Sequence, residues 1–322
     1  MHSSTSNFED APARRAIWFL LLLVVLVALA VELAARFGVP FVNQNMRRFY
    51  DELDRAAALA AKPANQPVPV LLLGNSLTFF DIDLRRFVEQ LGPECEVARW
   101  AVDDTNYLDW YFGLRRLFRA GSRPRFVVLG ATGGHFVSPR VRGHFFAHYI
   151  LDRRDLFAAA ARTSADATSF SAMTLAKASA FYGCREEVYK RVMTWILPRF
   201  EGFARSLTQR PTSNRVAPDV SARARAQLSE LRDLCAAHGA QLIIWLAPTR
   251  EKDKYGAAVL ASARECGVPI LIPAAEHEFA RESFRDPIHL KLAAAPVFTS
   301  LLSAQLRPLL LSGKEPPAPT PP

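Results

Sequence analysis

The sequence predicts an α/β protein in three layers, with helices on both faces of a parallel sheet of about five strands. Short apolar runs recur along the chain, and most are followed by a stretch with helical patterning, which is the signature of a parallel sheet with crossover helices. The chain has 322 residues, half of them hydrophobic, enough for one sizeable globular core. The strand-like runs are Val68 to Leu73, Glu96 to Val102, Phe126 to Gly130, Gln241 to Ala247 and Val268 to Ile272.

Before the first strand lies a different kind of segment. Residues 16–35 are almost wholly apolar, interrupted only by Glu32, and follow Arg14-Arg15. A membrane-spanning helix needs about 20 such residues, whereas a cleaved signal peptide needs an apolar core of about 7 to 15 and a small-residue site. Ala28-Leu29-Ala30 could be such a site, but the length favours an uncleaved transmembrane anchor. Arginines ahead of the run place residues 1–15 in the cytoplasm and the rest of the chain outside it. Residues 36–66 read as an amphipathic juxtamembrane spacer ended by Lys62-Pro63-Ala64-Asn65, so that the domain at 67–310 stands clear of the bilayer.

The first strand runs directly into Gly74-Asn75-Ser76-Leu77-Thr78. A serine at the end of a buried strand is well placed for a nucleophile, although Gly-Asn-Ser can equally be a strand-ending turn, with glycine supplying positive φ and Asn bonding locally. Near the other end stands Asp286-Pro287-Ile288-His289. A serine hydroxyl needs an imidazole to take its proton and a carboxylate to orient that imidazole, and His289 and Asp286 supply both groups. Asp286-Pro287 could also start a helix. Pro296 is tolerated only in a first turn, however, so the last helix should begin near Ala293 and leave both residues on a loop. The α/β-hydrolase elbow, G-x-S-x-G, does not fit, because Thr78 replaces its second glycine.

The two blocks resemble those of the SGNH, or GDSL-type, hydrolase superfamily, whose first block is G-[DN]-S-L-[ST] and whose last is D-x-x-H. The likeness in order of elements spans roughly residues 67–308. It implies a flavodoxin-like three-layer fold, a catalytic Ser76, Asp286 and His289, and no cofactor or metal. It also implies an oxyanion hole completed by a glycine after the second strand and an asparagine after the third. Both of those blocks are altered: the chain reads Ala101-Val102-Asp103-Asp104-Thr105-Asn106 and Gly130-Ala131-Thr132-Gly133-Gly134-His135. Backbone N–H groups of Thr105, Gly133 or Gly134 and the Asn106 amide are the candidate substitutes. Loss of one such donor typically costs about 10²- to 10³-fold in rate. Divergent middle blocks also make the chain similar to membrane-anchored envelope members, including relatives of alginate O-acetylation and D-alanyl transfer proteins. The resemblance thus implies an acyl-ester substrate on an envelope glycan or lipid, hydrolysed or transferred, with a membrane acyltransferase as a candidate partner. The altered blocks leave open a catalytically weak module that binds acylated glycan or scaffolds such an acyltransferase.

Residues 135–218 form an insertion that a minimal domain does not need. Phe181, Val188, Tyr189, Val192, Trp195, Ile196 and Phe200 recur at helical spacing, and the expectation is a helical subdomain packing them into core, with a lid or a docking face for a membrane partner as the alternative. His135, His144 and His148 are close in sequence, but their neighbours are aromatic and no ligand spacing accompanies them, so no metal is expected. Asp81-Ile82-Asp83 reads as a helix start whose carboxylates complement the dipole. The net charge of +9 tolerates anionic lipid or acidic polymer, and no nucleic-acid motif accompanies it. Cys95, Cys184, Cys235 and Cys266 lack metal spacing and could be either bridged or buried thiols. The polar stretch 207–218 closes the insertion, and residues 311–322 read as a disordered, Pro-rich tail.

Overall fold

The computed structural model describes residues 10–39, 43–63, 65–197, 220–274 and 278–312. The chain opens with α1 (Asp10–Leu33), which continues through a wider turn at Ala34–Gly38, and α2 (Gln44–Ala58). Then follow β1 (Val68–Gly74), α3 (Ser76–Phe80), α4 (Leu84–Leu91), β2 (Cys95–Ala101), α5 (Tyr107–Arg119), β3 (Phe126–Ala131) and α6 (Gly133–Val137). The insertion adds a helical segment at 143–150, then α7 (Leu156–Arg162), α8 (Ala167–Ala178) and α9 (Ala180–Ile196). The remaining elements are α10 (Val220–Ala236), β4 (Gln241–Leu246), α11 (Gly256–Glu265), β5 (Ile270–Leu271) and α12 (Ala295–Leu311).

Among the described residues the five strands form one parallel sheet in the order β2-β1-β3-β4-β5. This is the flavodoxin-like order, and its topological switch point lies between β1 and β3. Both faces of β1 and β3 are apolar because helices cover both, whereas the edge strand β2 exposes Glu96 and pairs Arg99 with Glu52. Leu71 and Leu73 point into a core built with α2, α5, α10 and α11, while Val70 and Leu72 point into a second core built with α4 and α12.

Three expectations are corrected. Residues 36–66 are not a free spacer: Met46, Phe49, Leu53 and Ala56 bury one face of α2 against β2, and Glu52 accepts from Arg99 Nε at 2.8 Å and from Ala101 N–H at 2.8 Å. The insertion does not pack its spaced apolar residues into core. Its inner part does, through Phe145, Phe146 and Tyr149, but Phe181, Val188, Tyr189, Val192, Trp195 and Ile196 are exposed. Asp81 does not serve a helix dipole, since Asp83 caps α4 by accepting from Arg86 N–H while Asp81 is fully buried elsewhere. The last helix starts at Ala295, close to expectation, with Pro296 in its first turn. Phe200, the stretch 207–218 and nearly all of the 311–322 tail lie outside the described residues.

The helical stretch Ala13–Gly38 is long and apolar enough to cross a bilayer. The four cysteines are free and buried.

Candidate active site

Ser76 stands at the carboxyl end of β1, beside β3, at the switch point where open α/β sheets bind ligands. Asn75 holds it there. The Asn75 side chain accepts from Leu77 N–H at 3.0 Å, capping α3, and donates to the Thr105 carbonyl at 3.2 Å, so the turn after β1 is tied to the turn after β2. Gly74 does not adopt a positive φ. It is needed for close approach: a Cβ there would fall 2.0 Å from Thr78 Oγ1 and 2.8 Å from the Gly130 carbonyl. That space lets the Thr78 hydroxyl reach the Gly130 carbonyl on β3 at 3.3 Å.

His289 comes to the serine on a tight loop between Phe284 and Leu290, which pair as an antiparallel bridge, with Arg285 N–H donating to the His289 carbonyl at 3.0 Å. No helix starts at Pro287. Instead Asp286 Oδ1 accepts the N–H groups of Ile288 and His289, each at 3.0 Å, so the carboxylate folds its own loop. The same carboxylate lies 2.8 Å from His289 Nδ1, and His289 Nε2 lies 2.7 Å from Ser76 Oγ. Because a carboxylate only accepts, Nδ1 carries the proton and Nε2 accepts from the serine hydroxyl. Burial pushes the Asp286 carboxyl up, but the two backbone N–H bonds and His289 outweigh it and hold the group below the usual carboxylate range. Asp286 is therefore charged at neutral pH.

Two further contacts fix the imidazole. Phe80, at the end of α3, meets the His289 ring edge-on at 5.9 Å, and the Arg285 guanidinium stacks over Phe80 at 4.1 Å and lies 3.6 Å from Asp286 Oδ2. Asp81, the residue after α3, accepts from Leu290 N–H at 3.0 Å, so the helix that presents Ser76 grips the chain next to His289. Its Oδ2 is buried with no hydrogen-bond partner among the described residues. Burial raises its carboxyl to about 8, against the lowering effects of the Leu290 N–H and Arg285, so it stays protonated near neutrality. Sequence reasoning missed Phe80, Arg285 and this role of Asp81, because their partners lie some 200 residues away.

The opposite wall is built differently. Gly133 N–H donates to Asp253 Oδ2 at 2.5 Å, and a Cβ on Gly133 would meet the Gly256 backbone at 2.6 Å. Gly133 thus serves the packing of the α11 turn and is not an available donor. Asn106 caps α5 in a reciprocal box with Asp109, whose Oδ2 accepts Asn106 N–H at 3.0 Å. The Thr105 hydroxyl donates to the Val102 carbonyl at 2.6 Å and accepts from Trp110 Nε1 at 3.0 Å. Gly134 is the second residue of α6 and Ser76 the first of α3, so the N–H of each has no intrahelical partner. Asp104, which with its neighbours stands where the resemblance puts a glycine, adopts a left-handed φ of 59°.

The three histidines go separate ways. His135 pairs with Thr132 Oγ1 at 2.7 Å, His144 with Glu186 at 2.7 Å and His148 with the Ala176 carbonyl at 2.7 Å, and no metal-binding cluster exists among the described residues. Burial pushes His135 down to about 4, so it is neutral. An open cavity of about 910 Å³ lies at the amino ends of the strands beside Val68 and Arg125, remote from Ser76. The hydrogen-bonded Ser-His-Asp set, not cavity size, marks the candidate site.

No family model matches the chain, and no curated protein does. Among solved structures, it is similar to LAE5, described as an alpha/beta hydrolase enzyme from the metagenome of Lake Arreo, Spain. Identity is 11%, covering 77% of this chain and 96% of that one, with a TM-score of 0.39. At that level the likeness assigns neither activity nor site residues.

Proposed function

We propose that the chain is a membrane-anchored, extracytoplasmic serine acyl hydrolase or O-acyltransferase of SGNH type, acting on an ester of a cell-envelope glycan or lipid. The observation that carries this reading is the continuous hydrogen-bonded line from Ser76 Oγ through His289 to Asp286. In it, Ser76 Oγ attacks the acyl carbonyl while its proton passes to His289 Nε2, and Asp286 stabilises the imidazolium. The ester C–O bond then breaks, and His289 returns the proton to the departing alcohol. Water or an acceptor hydroxyl attacks the acyl-enzyme, again giving its proton to His289, and frees Ser76. The anchor at 16–35, with Arg14-Arg15 ahead of it, supports an extracytoplasmic domain close to the membrane.

A second reading has a specific observation in its favour. With Gly133 N–H given to Asp253, the site has one oxyanion candidate fewer, as a weakly catalytic module that binds acylated glycan or scaffolds an acyltransferase would have. A fluorophosphonate probe separates the two. Stoichiometric labelling of the full-length protein, mapped to Ser76, is the expected outcome; no labelling at Ser76 under conditions where the protein is folded leaves the module reading.

A further inference from the structure

The exposed face of α9 is the feature that the proposed chemistry does not use. Trp195 is 84% exposed, Ile196 59% and Tyr189 57%, with Val188 and Val192 also open to solvent. Tryptophan in particular is rarely left this exposed, and a contiguous apolar patch marks an interaction surface. The inner side of the same helix is tied to the domain: Cys184 is buried, Glu187 accepts from Arg142 at 2.8 Å, and Glu186 pairs with His144. The outward residues are therefore on a fixed helix.

What covers that face follows from how α9 begins. Glu32, at the end of α1, accepts from Ser179 Oγ at 2.8 Å, from Ala180 N–H at 2.7 Å and from Phe181 N–H at 3.1 Å. It thereby satisfies the first N–H groups of α9, and it also meets Arg36 at 3.0 Å. The first turn of α9 thus sits at the depth where the apolar run of α1 gives way to charge. The exposed shell of α1, Leu29, Val31, Leu33 and Phe37, is continued across this junction by Phe181. Aromatic residues with a polar atom, Tyr189 and Trp195, are the ones favoured where acyl chains meet headgroups.

We propose that α9 is an interfacial membrane helix, with Tyr189, Val192, Trp195 and Ile196 seated in the headgroup and upper acyl region of the same leaflet that α1 leaves. This rests on the reading of α1 as a membrane span. It gives the domain a second attachment point and fixes its orientation to the bilayer, so that Ser76 faces one direction relative to the membrane surface. The occupant is lipid because the face is continuous with a helix that is itself apolar all round, and because the partner side of α9 is already taken by the domain.

Tryptophan quenching tests it on the full chain, one copy per phosphatidylcholine nanodisc, with lipids brominated near the headgroup or near the chain ends. Trp100, Trp110 and Trp245 are fully or almost fully buried and give a constant background. Trp18→Phe leaves Trp195 as the exposed reporter, and Trp195→Phe leaves Trp18 as the reporter of α1. The expected result is loss of Trp195 emission, greater with bromine near the headgroup, alongside quenching of Trp18. Quenching of Trp18 without quenching of Trp195 overturns the proposal and leaves the anchor standing. Failure of both overturns the anchor as well. Protection of Trp195 that appears only with two copies per disc assigns the face to a second chain, and also overturns it.

Discussion

On the His289 side of Ser76, one carboxylate accepts two backbone N–H groups and orients the imidazole, a phenyl ring meets that imidazole edge-on, and a buried carboxyl ties the serine helix to the histidine loop. On the other side, the turns after β2 and β3 direct their donors inward: Gly133 N–H to Asp253, Asn106 N–H to Asp109, the Thr105 hydroxyl to Val102. The first wall sets an imidazole and a carboxylate in line with a serine hydroxyl; the second spends several of its polar groups on holding the fold. Nucleophile activation and oxyanion stabilisation are separable contributions, each worth orders of magnitude in rate. A chain can keep the first with fewer donors for the second: Gly133 N–H goes to Asp253, and the N–H groups of Thr105 and Gly134 and the Asn106 amide remain the candidates.

The comparison breaks most visibly if the first wall turns out to be inert. Ser76→Ala and His289→Ala should each lower ester turnover by about 10⁴- to 10⁶-fold, and Asp286→Asn by about 10⁴-fold because it imposes the wrong imidazole tautomer. Circular dichroism should show all three variants folded. Turnover in Ser76→Ala equal to the parent would sink the mechanism, and an unaffected Asp286→Asn would remove the carboxylate from it.

Asp81 sharpens the first wall through pH. Its carboxyl is raised from 3.8 to about 8 on folding. Between those values the folded state keeps a proton that the unfolded state has lost, so stability falls as pH rises through this window and levels off above 8. Asp81→Asn cannot ionise yet keeps an oxygen for Leu290 N–H. Relative to the parent it should gain stability from pH 4 to pH 8, by on the order of a few kcal/mol across the window. Any cost of burying the amide is a constant offset and leaves this slope untouched. Parallel stability curves for the two proteins would show that the carboxyl titrates normally.

The difference between the walls also explains what the sequence could reveal. The strands were legible as short runs rich in apolar residues, and Ser76 and His289 because each belongs to a short block at a strand end or on a loop before a proline-marked helix. The amphipathic spacing Met46, Phe49, Leu53 and Ala56 showed that α2 has an apolar face, but not that β2 lies beneath it. Asp253 on Gly133 and Asp81 on Leu290 were invisible, since such bonds depend on residues brought together from distant parts of the chain. The α9 face misled because helical spacing of apolar residues looks the same whether protein or lipid covers it.

Asn106 tests the second wall directly. If it is a cap, Asn106→Ala should cost about 1 kcal/mol of stability and Asn106→Asp should restore most of it, with turnover within about 3-fold of the parent in both. If its amide also serves the oxyanion, both variants should lose about 10²-fold in kcat with little change in KM, because that bond strengthens only as charge develops on the carbonyl oxygen. The capping box with Asp109 engages the Asn106 side-chain oxygen and backbone N–H, so the two outcomes turn on its amide NH2. Thermal melts paired with initial-rate kinetics decide it.

The smallest expected effect concerns Asp104, which holds a left-handed φ of 59° in the turn where the resemblance puts a glycine at this position or beside it. A residue with a Cβ is disfavoured there, although aspartate is among the side chains that tolerate it best. Asp104→Gly removes that strain but gives the unfolded chain more freedom, two terms of opposite sign that each amount to about 0.5 to 1 kcal/mol. The net change in stability should thus stay within about 1 kcal/mol, a shift of at most ~2 to 4 °C in Tm. Asp104→Ala, which keeps the Cβ and loses the tolerant carboxylate, should be the less stable of the two. An Ala variant as stable as the Gly variant would show that the turn after β2 carries no left-handed strain, and that aspartate stands there for its charge.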